Sequence, residues 1–152
     1  MDVGVVSAVA QTRAAEQIMG WDLSRPKAFL IHREGMDAEH VESLDLEYRR
    51  FLVMATTGTG KQLPISGPVD KLWHAHMLFS KDYAEMSRAA CGRMIHHAPA
   101  VTNEEQATLK PLYFNGTLPL YAEMFEAEPP EHLWPRHQSV CVSSCCNTLG
   151  DE

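Results

Sequence analysis

The chain has 152 residues, of which 45% are hydrophobic and 22% charged, and its formal net charge is −7. This size and composition predict one soluble globular domain and exclude a chain that is disordered throughout. The negative charge argues against nucleic acid or an anionic membrane as the main partner, because both bind clusters of Lys and Arg. The sequence has no apolar run near the roughly 20 residues that span a bilayer, and its N-terminus lacks the basic region of a signal peptide. We therefore expect a cytoplasmic protein.

Apolar residues that recur every three or four positions predict helices in the first half of the chain. Residues 22–34 fit a helix that begins at Ser24, has Pro26 in its first turn and ends at Gly35. Asp37 is the expected N-cap of a second helix. The apolar stripe of this second helix consists of Val41, Leu44, Tyr48, Phe51 and Ala55.

A Gly-, Thr- and Pro-rich stretch at residues 56–68 predicts a loop. It resembles a phosphate-binding loop only in its Gly-Lys pair. Ala55 stands where that motif needs its first glycine, and Gln62 follows the lysine in place of Ser or Thr. We therefore exclude a nucleotide site here.

The third predicted helix starts near Gly67, carries Pro68 and Asp70 in its first turn, and ends or kinks at Gly92. Its apolar stripe is Val69, Leu72, His76, Phe79, Tyr83, Met86 and Ala90. Thr102 is the N-cap in a capping-box signature for a fourth helix.

Pro111 and the Asn115–Gly116 pair are expected to interrupt this fourth helix. A short helix follows and stops before Pro129. The predicted fold is thus all-α, a single-domain bundle of four to six helices at residues 1–135. Residues 136–152, which contain Cys141, Cys145 and Cys146, are predicted to be a flexible tail apart from the main site.

Residues 69–99 hold four of the eight histidines and contain the predicted functional site. On a regular helix His74 and His76 lie about 200° apart, so they cannot chelate one metal ion. Asp70 and His74 are four residues apart and share a face, which suits a carboxylate that orients an imidazole. His96 and His97 follow the helix, and in extended backbone one of the two can turn back toward His74 or His76.

We consider three interpretations of this cluster: a metal site, a buried polar network that fixes the fold, and a metal-free acid/base site. A metal site that draws on imidazole and thiolate favours zinc, although copper and iron remain open. Asp70 would then be the outer carboxylate that orients His74. The candidate metal ligands are His74, His76, Cys91, His96 and His97.

The leading functional prediction is a small metal-binding domain. A metal with an open coordination position could activate water for hydrolysis, but the sequence identifies no reaction, so enzymatic activity stays an open question. The alternative is a metal-free interaction module, in which the histidines form a hydrogen-bonded core and the acidic surface or the Cys tail meets an unknown protein partner. The oligomeric state is also left open.

The run P-V-D-x-L-W-H-x-H-x-L-x-x-x-x-Y, followed by a Cys, a Gly and H-H-x-P, resembles the glycine-rich domain-containing protein family. The E-Y-x-R-F-L stretch at 47–52, the Y-x-x-x-T-L-x-x-Y-x-x-x-F stretch at 113–125 and the P-P-x-x-L-W-P stretch at 129–135 extend the resemblance over residues 20–135. It supports the domain and its histidines and implies no particular reaction. The chain departs from the family in having VTNEE after H-H-x-P and CVSSCC in place of a glycine-rich tail.

Overall fold

Helices dominate the computed structural model, which describes residues 13–56 and 62–145. Residues 13–19 are helical, and six helices follow: α1 (Ser24–His32), α2 (Ala38–Ala55), α3 (Gly67–Leu78), α4 (Ser80–Cys91), α5 (Asn103–Leu112) and α6 (Leu118–Phe125). A short π-helix, Tyr113–Thr117, joins α5 to α6. The predicted single-domain helical fold is confirmed. It carries in addition a small sheet of three strands: β1 (Leu63–Ser66), β2 (His97–Ala98) and β3 (Val142–Cys145).

The first two helices begin where the sequence predicts. Helix α1 begins at Ser24, its N-cap residue Leu23 makes no side-chain cap, and the Ser24 backbone N–H donates to Asp22 Oδ1 at 2.9 Å. Asp37 caps α2 as predicted, since its side chain accepts from the His40 backbone N–H. The predicted apolar stripe of α2 is buried along its whole length and forms much of the core.

The predicted long helix at residues 67–92 is broken at Phe79. Phe79 has φ −93° and ψ 69°, outside the helical region, and it separates α3 from α4. The break lets Asp82 contact His76, with 2.8 Å between Oδ2 and Nε2. On an unbroken helix these residues would lie about 9 Å apart along the axis, so the contact needs the change of direction.

In the second half of the helical domain, the predicted helix start is observed, whereas the predicted interruptions do not end the helix. Thr102 Oγ1 accepts from the Glu105 backbone N–H at 3.1 Å, which confirms the cap of α5. Pro111 lies inside α5 and does not end it. The chain continues through the π-helix into α6, so the expected break at Asn115–Gly116 is a local widening of the helix.

Strand β3 lies at the centre of the sheet and pairs antiparallel with both neighbours. Val142 pairs with Ser66 of β1, and Cys145 pairs with His97 of β2. Val140 and Val142 are buried. Backbone pairing and apolar burial therefore place the strand and the residues just before it on the helical domain, beyond the predicted boundary at residue 135. The mobility of the tail stays a prediction. Residues 146–152, including Cys146, lie outside the described residues.

A buried carboxylate ties α2 to the end of the helical domain. Glu47 is 4% exposed, and its Oε1 accepts hydrogen bonds from the Tyr121 hydroxyl at 2.7 Å and the Trp134 indole N–H at 2.9 Å. Burial and the hydrogen bond to Glu47 raise the pKa of Tyr121 to about 12. All three residues belong to the stretches that resemble the glycine-rich domain-containing family, so this part of the resemblance reflects packing. In the described part of the chain, none of the helices is both long and apolar enough to span a membrane.

Candidate metal centre

Three polar side chains meet where the start of α3 faces β2. Asp70 Oδ1 lies 3.0 Å from His97 Nε2, and Asp70 Oδ2 lies 3.1 Å from His74 Nε2. The two Nε2 atoms are 3.1 Å apart. Asp70, His74 and His97, hereafter the triad, thus bring two imidazole nitrogens and the two oxygens of one carboxylate together, and each residue can offer one ligand atom.

Local structure explains how residues 27 positions apart in sequence reach one point. Ser66 caps α3 by accepting from the Val69 backbone N–H at 3.4 Å, which sets the first turn that carries Asp70. His74 follows one turn later on the same face, as its spacing from Asp70 predicts. His97 comes from β2, which pairs with β3, and β3 in turn pairs with β1, the strand that leads into α3.

The triad is buried on one side and open on the other. The side chains of Asp70 and His97 are 11% and 7% exposed, whereas that of His74 is 58% exposed. The Trp73 ring packs against His97 in an edge arrangement, with centroids 4.3 Å apart. Two of the three groups are therefore held by packing, and the third lies at the surface.

Hydrogen bonds alone cannot satisfy all three contacts of the triad. Each Nε2 atom carries at most one proton, and an ionised carboxylate carries none. If both rings donate to Asp70, their two N–H groups face each other at 3.1 Å. If one ring presents a lone pair, that lone pair faces a carboxylate oxygen or must share its neighbour's proton.

A cation among these atoms removes this conflict, because the lone pairs then have a positive partner. Zinc at about 2.0–2.1 Å from two nitrogens sets them about 2.9 Å apart at a right angle and about 3.4 Å apart at the tetrahedral angle. The observed separation of the two Nε2 atoms, 3.1 Å, falls between these values. The ligand types and the close approach of the three residues therefore fit a divalent metal ion.

Ser143 of β3 also contacts the triad. Its hydroxyl donates to Asp70 Oδ2 at 3.3 Å, the same oxygen that faces His74. Sequence reasoning assigned this serine to a mobile tail and therefore missed it. The only signal that could have placed it is the alternation of Val142 and Ser143 in a short strand, and four residues give little periodicity.

The five predicted ligands do not converge on one point in the described part of the chain. His74 and His97 belong to the triad, together with Asp70, which was predicted as an outer carboxylate. Cys91 lies elsewhere, and its thiol contacts the backbone carbonyls of Ser87 and Arg93, both at 3.4 Å. His96 is exposed, so of the His-His pair it is the second residue that turns back toward α3.

His76 belongs to a separate network, in which His76 and Tyr48 are buried and the Asp82 side chain is 42% exposed. Its Nε2 contacts Asp82 Oδ2 and its Nδ1 contacts the Tyr48 hydroxyl, each at 2.8 Å. Asp82 Oδ2 also accepts from the Trp21 indole N–H at 3.0 Å. Nε2–H donating to Asp82 leaves Nδ1 to accept from Tyr48, so a neutral imidazole satisfies both contacts. This is the polar-network interpretation, realised at one histidine of the His-x-His motif.

Burial sets the protonation of this network. It lowers the pKa of His76 despite the opposing effect of the Asp82 carboxylate, and it raises the pKa of Tyr48 well above its usual value. The imidazole and the phenol are therefore both neutral near pH 7. Because His76 and Tyr48 are fully buried, they hold the fold together and offer no surface for a substrate.

Two imidazoles and one carboxylate form a ligand set that proteins use for catalytic zinc and for non-haem iron(II). In such sites the protein supplies three ligands, and water or substrate takes a remaining position. The exposed side of the triad, at His74, is where such a position would be accessible.

The chain belongs to the UCP032817-like family. A family model described as UCP032817-like matches residues 17–112, which include all three residues of the triad and the His76 network. Ser143 and the rest of β3 lie outside the matched range. The chain matches no curated protein and no solved structure, so the geometry of the triad carries the functional argument.

Proposed function

We propose that this chain is a cytoplasmic metal-binding domain that holds zinc through Asp70, His74 and His97. The observation that carries the proposal is the set of 3.0–3.1 Å contacts among three groups that together lack the protons to satisfy them. A metal ion at this point would satisfy the facing lone pairs. The opening at His74 would leave room for a bound water, whose activation by zinc would allow hydrolytic chemistry.

This proposal revises the roles expected from sequence. Asp70 becomes a ligand and no longer only an orienting carboxylate, and Ser143 takes the outer role by donating to it. His76, Cys91 and His96 leave the ligand set. We further infer that the chain is a small relative of the glycine-rich domain-containing proteins, because the W-H-x-H and H-H-x-P motifs that it shares with them supply His74 and His97.

Zinc remains the preferred metal, but the revised ligand set no longer contains the thiolate that favoured zinc over iron. The expectation from sequence combined imidazole with the Cys91 thiolate, and the thiol lies apart from the triad. Two histidines and one aspartate suit zinc and iron(II) alike. Metal content therefore has to be measured for both ions.

Metal analysis of protein purified without a His tag tests the proposal. We expect one zinc ion per chain, and titration of metal-free protein with zinc should give a single site. Asp70→Asn, His74→Ala and His97→Ala should each reduce zinc affinity by more than the roughly 10- to 100-fold typical of losing an outer partner. His96→Ala is the matched control, because His96 is exposed and adjacent to His97, and this variant should bind zinc normally.

If protein purified anaerobically contains one iron ion per chain and no zinc, the triad is still a metal site, but its metal is iron. A metal-free chain whose affinity for both ions is unaffected by His74→Ala and His97→Ala would contradict the proposal. That result would favour the alternative, an interaction module with a protein partner. The His76 network supports this alternative to the extent that it shows one histidine serving purely as hydrogen-bonded core.

A further inference from the structure

A groove lies directly beside the triad, between α1 and α3. Its volume is about 490 Å³, within the range of roughly 300–1,000 Å³ that is common for small-molecule sites. Phe29 and Leu30 of α1 and Met77 and Leu78 of α3 line it with apolar surface. His74 also lines it, so this imidazole is shared between the groove and the triad.

The groove follows one stripe of α3. Lys71, His74, Ala75 and Leu78 are spaced three, four and seven residues from the first, which puts them on a common face of the helix. Lys71 therefore lies one turn before His74, and Leu78 one turn after it. A molecule bound along this stripe would meet the Lys71 ammonium at one end, the His74 imidazole in the middle and the apolar Leu78 side chain at the other end.

The charges that line the groove favour a particular head group on a bound molecule. A divalent ion bound at the triad would retain a net charge of +1 after neutralisation by Asp70, and the Lys71 ammonium adds another positive charge beside it. Glu34 lines the same groove and would repel a second negative group on the ligand. The combination favours one carboxylate at the end near Lys71 and His74, with an apolar remainder.

We propose that the groove binds an amphipathic monocarboxylate, with its carboxylate at Lys71 and the metal and its hydrocarbon chain along Phe29, Leu30 and Leu78. This inference rests on the proposed metal site. Leu78 is 65% exposed, so a hydrocarbon chain laid over it would remove a large apolar side chain from water. The inference names a ligand class and commits to no reaction on it.

Calorimetric titration of the full zinc-loaded chain with octanoate tests the inference. Octanoate should bind at least about tenfold more tightly to the zinc-loaded than to the zinc-free chain, because the metal is the main partner of the carboxylate. Octan-1-ol, octylammonium and the dicarboxylate suberate should all bind more weakly than octanoate. Lys71→Met should weaken octanoate by about fivefold, the upper range for an exposed ion pair.

Leu78→Asp tests the apolar end of the groove without touching the core. It should weaken octanoate by about tenfold through lost apolar contact and added repulsion, while zinc should still bind through the triad. Val101→Asp is the matched control, since Val101 is 81% exposed and does not line the groove. This variant should bind octanoate normally.

The two titrations separate this inference from the proposed function. Zinc that binds through the triad while octanoate binds no better than octan-1-ol, or equally with and without zinc, would overturn the monocarboxylate inference and leave the metal site in place. Octanoate affinity that is insensitive to both Leu78→Asp and Lys71→Met would also overturn it. Failure of zinc to bind in the first titration would count against the proposed function.

Discussion

His74 and His76 lie two residues apart on the same helix and have opposite environments. The His74 side chain is 58% exposed, and its Nε2 lies 3.1 Å from a carboxylate oxygen and 3.1 Å from another imidazole nitrogen. His76 is fully buried, and both of its nitrogens have partners that a single neutral imidazole can satisfy. The helical repeat produces this difference, since positions two apart face about 200° away from each other.

The number of available protons distinguishes the structural histidine, His76, from the candidate ligand, His74. The network around His76 closes: Tyr48 donates, His76 accepts and donates, and Asp82 accepts. The triad around His74 does not close with the protons available, and it faces solvent on one side. A closed, buried network stabilises a fold, whereas an open set of converging lone pairs at the surface can accept a metal ion.

Removing the C-terminal strand should have the largest effect, and it should act mainly on the His74 side. A chain ending at Pro135 lacks β3, which pairs with β1 and β2 and buries Val140 and Val142. We expect a loss of about 4 kcal/mol in the free energy of unfolding, from two buried valines and their pairing, and loss of zinc binding. Urea unfolding and zinc titration would measure both.

A chain ending at Cys145 is the control for this truncation, since it keeps every described contact of β3. It should bind zinc like the full chain. Unchanged stability and zinc affinity in the chain that ends at Pro135 would show that the tail is mobile and has no part in the site, as the sequence predicts.

Alanine substitution of the two histidines should cost very different amounts of unfolding free energy. His76→Ala leaves a cavity and removes the partner of the Tyr48 hydroxyl, so the zinc-free protein should lose about 3 kcal/mol of unfolding free energy. His74→Ala removes a mostly exposed side chain and should cost less than about 0.5 kcal/mol in the zinc-free protein. Thermal and urea unfolding of both variants measure these losses. Equal losses would contradict the structural role of His76 relative to His74.

Most of the fold could be predicted from sequence because the helical signals are strong. Asp37 and Thr102 are side-chain caps at the predicted positions, and the stripe from Val41 to Ala55 is buried as expected. The break at Phe79 has no glycine or proline to mark it. It depends on tertiary contacts, including the edge packing of Phe79 on Phe29 with centroids 6.4 Å apart.

The site could be predicted only in part, for a related reason. Helical spacing pairs Asp70 with His74 and separates His74 from His76, so local geometry was sufficient for that half. The position of His97 depends on its pairing with β3, a contact between residues nearly fifty positions apart, and no local pattern encodes it. Ser143 was missed because a four-residue strand beyond the helical domain has too few residues to show alternation.

Acid should destabilise the fold through His76. Because burial lowers the pKa of His76, the unfolded chain takes up a proton at higher pH than the folded chain does. Stability from this residue is therefore complete above the unfolded pKa of about 6.5 and falls as the pH drops below it. The slope from one proton is at most about 1.4 kcal/mol per pH unit.

Urea unfolding of zinc-free protein between pH 7.5 and 5 measures this slope. His76→Gln is the control, because glutamine cannot titrate but can still hydrogen-bond. The variant should be less stable at pH 7.5 and should show a shallower pH dependence than the native chain. Parallel curves for the two proteins would remove His76 as the source.

The smallest expected effect is that of Ser143→Ala, which removes a hydrogen bond to the triad. Ser143 donates to Asp70 Oδ2, the oxygen that faces His74, and so helps to hold the carboxylate in place. At 3.3 Å this hydrogen bond is long, so we expect a loss of zinc affinity near the lower end of the roughly 10- to 100-fold range for outer partners. The free energy of unfolding of the zinc-free protein should change by less than about 1 kcal/mol. Ser139→Ala is a matched control, because Ser139 is exposed and its hydroxyl contacts His137 and not the triad. If both serine variants bind zinc like the native chain, the position of Asp70 is fixed by α3 and His97 alone, and β3 contributes to the site only by pairing with β2.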